Sequence, residues 1–456
     1  MVSAQNLNLD VLELVFAHLA TGNDLASVAL VSRSFLAGVI PRLYETLLFQ
    51  LSQAKRYPSV TAPFAAILKH PGLAKHVRNI EIQAVPLLKS PLSQFDPKFL
   101  KDSSEALRIC RNVSSFTCIC PILPPLLLSL QEKPRLQEIR IHARLTADQS
   151  GKLRTLKGLR SITLDHASWN VVDMLPAWVG ANKTTLTSLT LYMAADLNEI
   201  VLENALSQLP ELLSLHVIGC PRVDHTAVFR CVRHTPLLES LSFTTVINDS
   251  SSPLTTPHPR LPNLVHLTLD SRLTLAPAPP NSTSLLSRLL TDILLPSSSP
   301  LRSLSIRLAD RQLCIPDSWV EELLKACWGT LKRISFGNCV VGNDSVKNIC
   351  ARCPQLETLE LAIPIRELRP FALAVAQSST LKTLIDNSDP HATHTPKVAL
   401  TRDNIRYVML TVHALRTVEC DGRIWTRCGS VLPYSDLRIS LERRATSSHH
   451  WFVPLE

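Results

Sequence analysis

Short segments in which apolar and polar residues alternate recur along most of the chain, each opening on an aliphatic residue in the pattern Leu-x-x-Leu-x-Leu. Clear copies start at Leu136, Leu159, Leu186, Leu212, Leu238, Leu264, Leu301, Leu331, Leu356, Leu381 and Leu415, with looser ones at Val77 and Val113. From Val113 to Leu264 the first positions are spaced by 23, 23, 27, 26, 26 and 26 residues. Alternation over five or six residues predicts a short strand with one buried face. Between strands lie amphipathic stretches such as Glu199 to Leu206 and Val320 to Cys327, which predict helices. A single strand of this kind cannot bury its own leucines. Stacked neighbours can, and spacings in the mid-twenties suit a strand, a helix and two tight connections. The predicted fold is therefore α/β: a solenoid with parallel concave strands and outer helices over residues 76–441.

The first 48 residues follow a different period. Val11, Leu12, Val15, Phe16 and Leu19 fall at helical spacings, as do Leu25, Val28, Ala29, Val31 and Phe35 after the break at Thr21-Gly22-Asn23-Asp24. Asp24 is the expected N-cap of the second helix. A third short helix is expected from Leu36 to Tyr44, with Pro41 inside it. Three short helices in under 50 residues make a small core, so a partner is expected to cover part of them. The predicted organisation is a helical module over 1–48, a helical linker over 49–75, the solenoid over 76–441 and a C-terminal tail over 442–456.

Composition sharpens this picture in a few places. The 456 residues include 78 Leu, which is the repeat itself, and 45% of the chain is apolar, which excludes disorder throughout. The N-terminal stretch carries Asp10 and Glu13 and reads as no signal peptide, and the run from Ile119 to Leu130 is broken by three prolines. The expectation is a protein of the cytoplasm or nucleus, with its 12 cysteines reduced and its five Asn-x-Ser/Thr triplets chance matches. The net charge of +9 raises nucleic acid as a partner. However, no basic stripe interleaved with aromatics accompanies it, and residues 1–48 are net acidic. Neither nucleic acid nor membrane is expected as a partner.

The repeat resembles the leucine-rich repeat family. Two units, from Leu331 through Asn338-Cys339 and from Leu212 through Cys220-Pro221, are similar to its cysteine-containing subtype. In that family the Asn/Cys position turns the chain out of the strand. The N-terminal module resembles the F-box. The carrying residues are Leu7-Asn8-Leu9-Asp10-Val11-Leu12-Glu13 and Asp24-Leu25 through Val31-Ser32-Arg33-Ser34-Phe35, ending at Pro41-Arg42-Leu43-Tyr44 as in fungal members. Asn8 stands where that family usually has Pro, and Phe35 where it usually has Trp. The resemblance implies docking to a Skp-type adaptor of a cullin–RING (SCF-type) ubiquitin ligase through Leu7, Val15, Phe16, Leu19, Leu25, Val28, Val31 and Phe35. It also implies that the solenoid binds a target protein and that the chain is a non-catalytic receptor subunit. The alternative is a repeat scaffold whose F-box-like cap engages no ligase, these residues then forming an internal core.

On each strand the residues between the buried ones face the concave side. Most are Ser or Thr, in rows that run to Thr417, Glu419 and Asp421. Tyr192, His216, His266, Arg307 and Arg333 stand out as candidate target-binding residues, because aromatics and arginine dominate interface energetics. Arg307 and Arg333 together would suit a phosphate-bearing segment. The Cys350-Ala-Arg-Cys353 spacing has no second pair beside it and reads as repeat core rather than zinc. No phosphate-binding glycine loop, GxSxG or HExxH motif occurs. No catalytic residue, metal or cofactor is expected. Two insertions, between Leu264 and Leu301 and between Leu381 and Leu415, read as surface loops; they hold Ser299-Pro300, the pair His391 and His394, and Thr395-Pro396.

Overall fold

A computed structural model describes residues 8–19, 22–88, 95–245, 260–271, 299–308, 313–388, 400–428, 438–443 and 449–454. Leu7, residues 272–298 of the first insertion and residues 389–399 of the second, with the His391, His394 and Thr395-Pro396 features, lie outside the described residues; the second insertion also holds the helix Arg402–Thr411. The chain divides into two compact units, Met1–Asp196 and Leu197–Glu456.

The first unit opens with three helices, α1 (Leu9–Phe16), α2 (Gly22–Ala29) and α3 (Arg33–Leu43). Helix α2 begins two residues before Asp24, which therefore lies in its first turn rather than at the cap. A carboxylate there still favours the helix, because the N-terminal dipole end is positive. Ser32 caps α3 by accepting from the Phe35 N–H at 3.1 Å. Leu12, Phe16, Leu25 and Val39 form the module's core, with Leu19, Val28, Ala29, Phe35 and Leu43 packed half-buried against it. Gly38 lets α1 approach α3: a Cβ there would stand 3.0 Å from Leu12 Cβ and 3.1 Å from Phe16 Cε2.

A parallel ladder follows: β1 (Thr46–Phe49), β2 (Asn79–Ile82), β3 (Ser115–Cys118), β4 (Glu138–His142), β5 (Ser161–Asp165) and β6 (Ser188–Tyr192). It starts at Thr46, ahead of the recurring Leu-x-x-Leu-x-Leu pattern. Thr46-Leu47-Leu48-Phe49 is too short to show the period, yet it buries Leu47 and Phe49 as any other strand would. The repeat leucines align in register, for example Ile139 with Ile162 and Leu189, so that each buried row continues into the next strand. His166 and Met193 follow β5 and β6 with positive φ, the left-handed step by which the chain leaves each strand.

The second unit repeats the plan with β7 (Ser214–Ile218), β8 (Ser240–Thr244), β9 (His266–Asp270), β10 (Ser303–Arg307), β12 (Arg333–Gly337), β14 (Thr358–Leu361), β15 (Thr383–Asp386) and β16 (Thr417–Cys420), all parallel. Two-residue strands β11 (Cys314–Ile315) and β13 (Val340–Val341) pair separately. Asn338 takes a left-handed conformation where the chain leaves β12, as expected of this position. Helices Glu199–Leu206 and Asp317–Cys327 stand where the periodicity placed them.

The last strands, β17 (Arg423–Cys428) and β18 (Arg438–Arg443), run antiparallel. The turn from β16 to β17 is Asp421-Gly422, both with positive φ. Asp421 is thus a hairpin residue and not the concave-row residue the repeat register assigned. An Asp-Gly pair between two strands favours this two-residue turn over another solenoid step. Among the described residues, no helix is long and apolar enough to cross a membrane.

Candidate functional site

The first candidate surface is the outside of the N-terminal module. Helix α1, Leu-Asp-Val-Leu-Glu-Leu-Val-Phe, is apolar on more than one side, so closing the core on Leu12 and Phe16 leaves other large side chains in water. Leu14 and Val15 on α1 are 69% and 53% exposed, and Leu30 and Val31 just beyond α2 are 88% and 66% exposed. Leu9, Val11 and Leu36 are also exposed. Of the residues implied by the F-box resemblance, Val15 and Val31 are therefore at the surface. Phe16 and Leu25 are buried inside the module, and Leu19, Val28 and Phe35 flank that core. Leu9, Val11, Leu14, Leu30 and Leu36 are exposed but are not among the residues the resemblance implies for docking. The all-round apolar character of α1 points to Leu9, Val11 and Leu14, whereas Leu30 and Leu36 lie outside that helix and carry no such signal.

The second candidate surface is the concave side of the strands. In the first unit Tyr192 is half-buried, its ring 6.1 Å from that of His166, which lies 5.2 Å from His142. Arg140 reaches Asp165 at 3.0 Å on the same side.

In the second unit the concave rows carry more burial than solvent-facing strand positions should. His216, Ser242, Thr268 and Asp270 are all buried. Part of the cover is the chain's own C-terminal segment. His216 Nδ1 lies 2.8 Å from Ser242 Oγ, and Ser242 Oγ donates to the Phe452 carbonyl at 3.1 Å. A hydroxyl has one proton, and a carbonyl can only accept, so His216 must hold its proton on Nδ1 and donate it to Ser242. The Phe452 ring sits 5.7 Å from the His216 ring and is itself buried. Arg307 places its guanidinium 3.4 Å from the centre of the Trp451 ring.

Arg307 and Arg333 do not form a pair. Arg307 is in register with Gly337, four residues along β12 from Arg333, which is about 13 Å of strand. Arg333 instead holds Glu360 at 2.9 Å. The two-arginine phosphate clamp is therefore not assembled. His266 begins β9, half-buried, and burial together with the Arg302 charge holds its pKa below the ordinary value.

Burial is the larger cause that pushes the His216 pKa down to about 3, with the neighbouring His450 and His266 adding to it. The unfolded chain, with an ordinary histidine, then binds more protons between about pH 6.5 and 3. Stability on this account is complete above about pH 6.5 and falls as pH drops, by roughly 1.4 kcal/mol per unit. Urea unfolding at pH 7.5 and pH 5 should show this loss, and His216→Asn should reduce it. An equal loss in the variant would contradict the assignment.

Among the described residues no three His, Cys, Asp or Glu side chains gather as a metal site. Burial pushes the Cys350 and Cys353 thiols up to about 12 and about 11, as suits core cysteines.

No protein-family model matches the chain, and no curated protein matches it in sequence. Among solved structures it is similar to the complex of Rad7 and Elc1 in yeast, with 16% identity and a TM-score of 0.45, over 86% of this chain and 90% of that one. It is also similar to the complex of TLR13 with ssRNA13, with 12% identity and a TM-score of 0.33, over 76% of this chain and 47% of that one. At these levels neither similarity bears on what the chain binds or does.

Proposed function

We propose that the chain is a substrate-recognition subunit of an SCF-type ubiquitin ligase. In this reading the N-terminal module is an F-box that docks a Skp-type adaptor, and the concave strands hold a target protein. The observation that carries it is the group Leu14, Val15, Leu30 and Val31, large apolar side chains left in water by a module whose own core is closed. Exposed apolar groups on a small module favour a covering partner. The sequence motif beneath them is the one that resembles the F-box. Phe16 and Leu25 then act by holding the helices in place, while Val15, Val31 and their exposed neighbours make the contact. The chain supplies no chemistry of its own and brings target and ligase together.

Burying each such side chain contributes ~1.5–3 kcal/mol, so two of them carry roughly 100-fold or more in affinity. The test is co-purification of the full chain with a Skp-type adaptor. Val15→Asp combined with Val31→Asp should lose adaptor recovery by at least that factor without changing the thermal midpoint. Unchanged recovery would overturn the docking surface. If the unaltered chain recovers no adaptor, the scaffold reading takes its place.

A further inference from the structure

The C-terminal residues form a compact aromatic plug rather than a trailing end. The Val453 N–H donates to the His450 carbonyl at 3.1 Å, closing a tight turn with Trp451 and Phe452 at its two central positions. His450 stacks on Phe452 with ring centres 4.7 Å apart and planes 13° from parallel, and Trp451 meets Phe452 edge-on at 5.7 Å. The strands receive this turn at two distinct points. Ser242, oriented by His216, donates to the Phe452 carbonyl, so backbone as well as side chain is held. Arg307 lies over Trp451. The arginine can do so because its register partner is Gly337: a Cβ there would stand only 2.7 Å from Arg307 Cγ. The missing side chain on β12 is what lets the arginine stem lie flat.

We propose that the concave face over β7 to β10 is a recognition site for a tight turn carrying two adjacent aromatic side chains, and that the chain's own His450–Val453 turn occupies it in cis. A polar pair reading a carbonyl, a guanidinium reading a ring face and a buried seat for a second ring together select a turn of this chemistry. A small or charged loop could offer the carbonyl but neither of the two rings. The partner is therefore a protein presenting a Trp-Phe-like turn, which must displace the resident one. A tethered occupant competes at an effective concentration of roughly millimolar, so partner binding is weak until the turn is moved aside. The inference rests on the reading of the concave strands as a target-binding face; it does not depend on adaptor docking.

The test uses the purified full chain and a fluorescent peptide of its last eight residues, His449 to Glu456, added in trans. Trp451→Ala with Phe452→Ala empties the site and should raise peptide affinity at least ten-fold over the unaltered chain. Adding Arg307→Ala should remove that gain, and a peptide with both aromatics replaced by Ala should not bind. If the double variant melts early, Trp451→Ala alone decides, since Trp451 is half-exposed and its loss spares the buried ring. No gain in either variant, or a gain that survives Arg307→Ala, would overturn the proposal and make the turn a fixed part of the fold. Adaptor recovery is measured on the same variants. Its loss or presence judges the ligase reading separately from peptide binding.

Discussion

Replacing Trp178 by Ala should destabilise the first unit by about 3–5 kcal/mol, the usual cost of deleting a large buried aromatic side chain. Trp178 is fully buried in helix Trp169–Ala181, and its indole N–H donates to the Leu156 carbonyl at 3.1 Å. The same carbonyl accepts from Asn182 Nδ2 at 3.1 Å, and Asn182 Oδ1 accepts the Leu159 N–H at 3.0 Å. One helix end is thereby fastened to the chain entering β5. Asn182→Ala should cost about 2–4 kcal/mol, since it orphans the buried Leu159 N–H as well as opening space. The two residues share an acceptor, so the double variant should lose less than the sum of the single losses. Thermal or urea unfolding of the four chains measures this, and full additivity would show that the bonds act independently. Asn182 also begins one of the Asn-x-Ser/Thr triplets. Its burial agrees with reading that triplet as chance.

The second large effect separates neighbouring residues of α1. Phe16→Ala should destabilise the helical module by about 3–5 kcal/mol, because Phe16 fills the space between Gly38 and Phe35, its ring centre 5.4 Å from that of Phe35. Val15→Ala, one residue away and exposed, should change stability by no more than about 0.5 kcal/mol. Amide exchange along residues 9–43 reads both: Phe16→Ala should speed exchange throughout the three helices and Val15→Ala should leave it unchanged. If Val15→Ala loosened the helices as much, the exposed face would be core in solution and the docking surface would be misplaced. The charge variants that test docking belong at Val15 and Val31 for this reason. A charge at Phe16 would abolish adaptor binding simply by unfolding the module.

Much of the architecture was legible because its physics is local. Leu136, Leu159 and Leu186 announce strands through alternation, and a strand buried on one face can only stack. Asn338 and Gly219 mark left-handed exits by residue type, whereas His166 and Met193 make the same step without a sign in the sequence. There the cost of an unfavourable backbone is outweighed by the packing of the strands around it. The Asp421-Gly422 hairpin was visible in principle, but the period of the repeat outvoted it.

The amino-acid sequence by itself determined the repeat, the change of period at the N-terminal module and the set of side chains that could be buried. Only the tertiary structure decided which of those apolar residues stay in water. Phe16 and Val15 have the same helical credentials and differ only in what α3 places beside them. The tertiary structure likewise decided that Arg307 meets Trp451 rather than Arg333, across more than 140 positions of chain. Strand period and helix period are set by neighbours a few residues apart. Contacts of that range depend on how the strands stack, and no spacing in the sequence records it.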